Sequence, residues 1–151
     1  MAPQVRRTAR DYEEELRRRE LAVGRALVRI LPTDRRPTVR ELAEARRVLA
    51  NALRDLRHLE RQVAADIQQL RSRATGARGA APQQGGASAA NGGPTPTPTP
   101  ARPRPGARLP RELPGYEAAR NAIEDVLARW ESREAQLDAE VHRRGPRKPR
   151  R

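Results

Sequence analysis

The stretch that decides the fold covers residues 38–72 and runs TVRELAEARRVLANALRDLRHLERQVAADIQQLRS. A leucine or valine occupies every seventh position from residue 42 to residue 70, and further aliphatic residues widen the same stripe. An apolar position that repeats every seven residues over several heptads is typical of a helix in a coiled coil or helical bundle. The segment therefore predicts one helix of roughly 50 Å. Its predicted seam residues are Leu42, Leu49, Leu56, Leu59, Val63, Ile67 and Leu70.

The residues before this stretch predict a shorter, antiparallel partner helix over about residues 11–31. Asp11 is a candidate cap at its start, and Pro32 should end it, since proline disfavours helix at the residue before it. The segment 32–37 has the usual length of a turn between neighbouring helices. Thr38 and Glu41 have the spacing of a capping box, in which each side chain satisfies a free backbone amide of the other residue. Residues 1–73 are thus predicted to form a helical hairpin.

The remainder divides into a linker, a third helix and a tail. Residues 74–114 are rich in Ala, Gly and Pro, including an alternating Pro-Thr run from 94 to 100, and predict a disordered linker. Residues 115–142 regain an apolar heptad repeat and predict an amphipathic helix, which makes the expected fold all-α. Its predicted seam residues are Tyr116, Ile123, Trp130 and Leu137.

Charge is unevenly distributed along the chain. There are 32 basic and 19 acidic residues, a formal net charge of +13, which favours an anionic partner such as nucleic acid. The third predicted helix differs, because it carries seven acidic and three basic residues against 11 acidic and 18 basic in residues 1–73. This complementarity favours docking of the third helix on the hairpin, in the same chain or in another copy.

Residues 143–151 form a basic tail that contains no acidic residue and is expected to have no local acid that neutralises its charge. Gly145, Pro146 and Pro149 favour an extended backbone, so the tail could contact phosphates, or act as a nuclear import signal in a eukaryotic host. The predicted nucleic-acid-binding residues are Arg143, Arg144, Arg147, Lys148, Arg150 and Arg151.

Sequence features of catalysis are lacking. The chain has no cysteine, and His58 and His142 are isolated, so no metal site is expected. No glycine loop precedes a helix to hold a phosphate, and no nucleophile has an evident base partner. We therefore expect a protein that is not an enzyme and has no cofactor. The absence of a long apolar run predicts no membrane span, and the expected location is cytoplasmic, or nuclear in a eukaryotic host.

Two classes of function remain open. The first is a helical, oligomerising protein that binds DNA or RNA through basic segments. The second is a protein–protein scaffold or adaptor, as in a bacterial or phage assembly, whose basicity is incidental. Self-association, at least as a dimer, is expected because the first helix should cover the long second helix only to about His58. The apolar stripe beyond that point needs another helix, from the same chain or from a second copy.

Overall fold

The computed structural model describes residues 6–76 and 110–145, and this part of the chain forms three helices and no strand. The helices are α1 (Ala9–Ile30), α2 (Val39–Gly76) and α3 (Leu113–Arg144). The all-α prediction is confirmed. Most of the predicted linker, residues 77–109, and the end of the predicted tail, residues 146–151, lie outside the described residues. No helix in the described ranges has the length and apolar character needed to cross a membrane.

Helix α1 begins two residues earlier than predicted, and its cap is Thr8 rather than Asp11. The Thr8 hydroxyl accepts a hydrogen bond from the Asp11 amide at 3.2 Å, and the Asp11 carboxylate accepts one from the Thr8 amide at 2.6 Å. Asp11 is therefore the third helical residue of a capping box, where aspartate takes the place of the more usual glutamate or glutamine. At the other end, Leu31 is extended before Pro32, as the sequence predicts.

Helix α2 begins with the predicted capping box. The Glu41 carboxylate accepts a hydrogen bond from the Thr38 amide at 2.7 Å, and the Glu41 amide donates to the Thr38 hydroxyl at 3.2 Å. Arg35 adds two further hydrogen bonds to the same carboxylate, at 2.6 and 3.0 Å. The Arg35 guanidinium and then the Thr38 amide lower the pKa of Glu41 to about 2.

This arrangement predicts an acid-dependent stability that Glu41→Gln should remove. Because folding lowers the pKa of Glu41, its stabilising contribution is present above its usual pKa of 4.5 and is lost as pH falls toward 2. The melting temperature of the parent chain should therefore fall more between pH 5 and pH 2 than that of Glu41→Gln. Circular dichroism melts at several pH values measure the difference. If the melting temperatures of the two chains fall equally with pH, the Glu41 carboxylate is not the source of the acid-dependent stability.

Helix α3 starts at Leu113, two residues before the predicted position, with Pro114 inside its first turn. Proline is tolerated there because the first amides of a helix have no carbonyl partner within it. Gly115 follows at a close approach between helices, since a Cβ at this residue would lie 3.3 Å from the Ala9 side chain. Pro114, predicted to be the last residue of the linker, therefore belongs with Gly115 to a helix start that packs on α1. Helix α2 similarly continues to Gly76, four residues past its predicted end.

Helix α2 runs antiparallel to both other helices, which are parallel to each other. Near one end, the Tyr12 hydroxyl donates a hydrogen bond to Asp66 at 2.7 Å, and Arg71 pairs with Glu117 at 2.7 Å. Helix α1 thus extends past His58, the limit expected from residue counting. The expected limit was wrong because residues 31–38 are not helical, and non-helical backbone advances further per residue than helix, which displaces α1 along α2.

The buried side chains form two clusters. The larger contains Tyr12 and Leu16 of α1, the distal half of α2 and the first half of α3, including Ile123. The smaller joins Val23 to the start of α2 and to Leu137. Every predicted seam residue is buried except Trp130, which is half-buried and packs against both clusters. The apolar stripe of α2 is therefore covered within one chain by α1 and α3.

Candidate functional site

Ion pairs connect α2 to α3, and most of them place an arginine on α2 opposite an acid on α3. All are partly exposed to solvent, so each contributes little to stability alone, but together they match the two helices along their length. The pairs with an α2 arginine are Arg46–Glu134 at 3.4 Å, Arg46–Asp138 at 2.8 Å, Arg57–Glu131 at 2.8 Å and Arg71–Glu117 at 2.7 Å. One pair has the reverse polarity, Arg120–Glu60 at 3.1 Å.

Four other arginines of α2 form a separate group, which we call the arginine row: Arg40, Arg47, Arg54 and Arg61. They are spaced by seven residues, so they follow one side of the helix. All four are exposed, and none forms an ion pair with a described residue. Every acidic side chain of the protein lies in the described ranges, so the row has no acidic partner elsewhere in the same chain.

The surroundings of the arginine row keep its charge available. The helix positions three or four residues from its members include the small residues Ala43, Ala50 and Ala64. Two acids of α2, Glu44 and Asp55, are exposed nearby and form no ion pair with the described residues. The other acids of α2 have partners outside the row: Glu41 pairs with Arg35, Glu60 with Arg120, and Asp66 accepts a hydrogen bond from Tyr12. The row is thus a net positive surface with short side chains between its guanidinium groups.

The predicted basic tail divides into two parts. Arg143 and Arg144 lie in the last turn of α3, and both pair with Glu140, at 3.0 and 2.5 Å. Arg144 also donates a hydrogen bond to the Pro37 carbonyl at 2.9 Å, which fixes it against the start of α2. These two arginines are therefore partly compensated, contrary to the expectation of an uncompensated tail. The other predicted tail residues, Arg147, Lys148, Arg150 and Arg151, lie outside the described residues.

The aromatic side chains are used for packing. Tyr12 and Tyr116 are buried and meet edge to face, with ring centroids 6.2 Å apart. The Tyr116 hydroxyl donates to the Arg7 carbonyl at 2.6 Å, and burial raises the pKa of both tyrosines. Tyr12 and Tyr116 therefore offer no open ring face to a nucleic-acid base, and Trp130 is half-buried against both clusters.

In the described part of the chain, no group of three or more His, Cys, Asp or Glu residues could hold a metal ion. The ring of His58 lies 3.0 Å from the Gln62 side chain, and that of His142 lies 2.8 Å from the Asp138 carbonyl. Each histidine therefore has a neighbour within its own helix, and the two lie on different helices.

An exposed apolar patch lies on α1, formed by Leu21 and Val28. Their exposed fractions are 62% and 72%, the largest among the big hydrophobic side chains described. Gly24 lies between them, and a Cβ at this glycine would have open space around it. The patch spans about two helical turns and is not covered by α2 or α3.

The arginine row escaped the sequence analysis, although its signal was present there. Its members repeat with the same period of seven as the leucines of α2, so the outer side of the helix is as regular as the buried side. Counting net charge per segment hid this regularity, because the paired arginines such as Arg46 and Arg57 contribute equally to the sum. Comparisons with protein-family models, with curated proteins and with solved structures found no match to this chain.

Proposed function

We propose that this chain is a non-enzymatic helical protein that binds nucleic acid through basic segments. The observation that supports this most directly is the way the fold sorts its charges. Six of the seven acids of α3 between Glu117 and Glu140 form ion pairs, most of them with arginines of α2 or of α3 itself. The arginine row of α2 is left exposed, and an exposed set of arginines is a typical surface for phosphate contacts.

The charge outside the described residues has the same sign. The described ranges carry 24 basic and 19 acidic residues, a net +5, whereas the remainder carries eight basic residues and no acidic side chain. A protein with this distribution attracts a polyanion over a distance and then holds it through the uncompensated arginines. A cytoplasmic location, or a nuclear one in a eukaryotic host, belongs to the same proposal.

The first test is binding of the full chain to a fluorescently labelled nucleic acid of mixed sequence, followed by anisotropy over a range of salt concentrations. The logarithm of affinity should fall linearly with the logarithm of salt concentration, by about 0.9 for each phosphate neutralised on duplex DNA. Polyglutamate of equal charge serves as a control for general attraction to polyanions. Equal affinity for polyglutamate and for nucleic acid, or no salt-dependent binding, would overturn the proposal.

The contribution of the tail is measured by replacing Arg147, Lys148, Arg150 and Arg151 with Ala. If these four charges meet phosphates, the slope should become shallower by roughly 3 to 4. An unchanged slope would remove the tail from the proposal and leave only the folded part as the binding surface.

The scaffold alternative finds support in a different observation, the apolar patch of Leu21 and Val28. We propose that this patch mediates the expected self-association, because the seam residues first considered for it are buried within one chain. In an antiparallel pair of α1 helices, Leu21 of each copy would face Val28 of the other, and Gly24 would permit close approach of the backbones. Such a small interface would be weak. Analytical ultracentrifugation of the full chain measures this self-association. A monomer at high concentration would exclude it.

A further inference from the structure

The arginine row has a length and a regularity that suit one class of nucleic acid. Seven residues of α-helix advance about 10.5 Å, so the distance from Arg40 to Arg61 is about 32 Å. One turn of duplex DNA is about 34 Å long. A seven-residue repeat drifts around a straight helix by only about 20° per heptad, which keeps all four arginines on one side of α2.

The row is also held rigidly. The opposite side of α2 is buried against both other helices, with Leu49, Leu56 and Val63 fully enclosed. The spacing of the row is therefore fixed by the bundle, and only the arginine side chains can adjust. A rigid line of charges suits a partner that is itself rigid over the same length, as duplex DNA is.

The aromatic residues of the chain do not favour binding to single strands. Proteins that bind single strands commonly stack bases on exposed aromatic rings, which supply a large part of their affinity. Tyr12 and Tyr116 are buried and Trp130 is half-buried in the core. The arginine row therefore offers guanidinium groups and no aromatic ring, and phosphates are the usual partners of guanidinium groups in nucleic acid.

From these observations we infer that Arg40, Arg47, Arg54 and Arg61 bind the sugar–phosphate backbone of duplex DNA along about one helical turn, without reading its sequence. This inference rests on the proposed nucleic-acid binding and assigns it a surface and a substrate class. Arginines aimed at phosphates position a duplex but do not distinguish its base pairs. Two duplexes of unrelated sequence should therefore bind equally well.

The test replaces all four arginines of the row with Gln in the full chain. Anisotropy with a labelled duplex of about 20 base pairs should show a salt slope shallower by roughly 3 to 4 than that of the parent chain. The parent chain should also bind this duplex at least tenfold more tightly than either of its strands alone. Circular dichroism establishes that the variant keeps the helicity of the parent.

The matched control replaces Arg10, Arg17, Arg18 and Arg19 of α1 with Gln. The net charge changes by the same amount, but three of these arginines already pair with Glu14 or Glu15. The control should therefore keep nearly the parent slope. If the salt slope becomes shallower by the same amount in the row variant and in the control, the effect comes from net charge alone and the inference is overturned.

Two further outcomes separate the inference from the proposed function. Binding by the parent chain with a slope that the row variant leaves unchanged would place the contact elsewhere, so the row would be excluded while nucleic-acid binding stands. Tighter binding to the single strands than to the duplex would likewise overturn the inference. Absence of binding by the parent chain to every nucleic acid would overturn both.

Discussion

A chain carrying Leu59→Asp and Ile67→Asp should lose its cooperative thermal transition and most of its helicity. These side chains are 1% and 3% exposed and belong to the larger core cluster, against α1 and α3. Each substitution removes about 1.5–3 kcal/mol of apolar burial. Each also places a carboxylate in an apolar environment, which costs several kcal/mol more. Together these losses are comparable to the whole stability of about 5–15 kcal/mol that small domains have.

The matched control is His58→Asp with Gln68→Asp. These positions are the immediate neighbours of the first pair on α2, but both are exposed. The control adds the same number of aspartates to the same helix, so it should retain a cooperative transition. Circular dichroism at a single neutral pH measures both variants. Equal melting temperatures for the core variant and the control would show that the distal stripe is not buried.

The second large effect is expected from reversing the charges that match α2 to α3. Changing Arg46, Arg57 and Arg71 to Glu places each new carboxylate beside an acid of α3. An exposed ion pair contributes about 0–1 kcal/mol, and reversal replaces that attraction with a similar repulsion, so the free energy of unfolding should fall by about 1–4 kcal/mol. Added salt should stabilise this variant, because it screens the repulsion.

Two further chains make this test specific. Adding Glu117→Arg, Glu131→Arg and Glu134→Arg to the reversed chain restores opposite charges at three of the four pairs and leaves Asp138 beside the changed residue 46, so a large part of the lost stability should return. Urea unfolding followed by circular dichroism gives the free energies.

The control for net charge reverses Arg47, Arg54 and Arg61, which form no ion pair with described residues, and it should change stability much less. Equal destabilisation by the two reversals would show that the pairing between α2 and α3 has no specific effect.

The sequence predicted the helices well because their signals are local. The heptad leucines, the Thr38–Glu41 box and Pro32 each determine structure within a few residues, and α2 begins where the capping box places it. The start of α3 was placed two residues too late, with Pro114 at the end of the predicted linker, because proline commonly marks a turn or loop. Proline is tolerated in that first turn, and the close approach of Gly115 to Ala9, more than 100 residues away in sequence, packs the helix start against α1.

Long-range arrangement was harder to predict. Charge complementarity indicated that α3 docks on the hairpin, but sequence could not distinguish the same chain from a second copy, since both would bury the same seam. The candidate site was limited for a related reason. Whether an arginine is free depends on which acid reaches it in three dimensions, so Arg143 and Arg144 were expected to be uncompensated although Glu140 lies one turn away on the same helix. The arginine row was overlooked because the charge summed over residues 1–73 did not separate its members from paired arginines such as Arg46.

The pairing of Arg71 with Glu117 bears on how long the connection between α2 and α3 needs to be. It brings the end of α2 and the start of α3 side by side, so that a few residues would be enough to join them. The 36 residues from 77 to 112 are far more than that junction demands. The stability of the bundle should therefore depend little on the length of this stretch, since the entropy of closing a loop changes slowly with its length. Insertions or deletions of Pro-Thr or Gly-Ala repeats within this stretch should therefore leave the register between α2 and α3 unchanged.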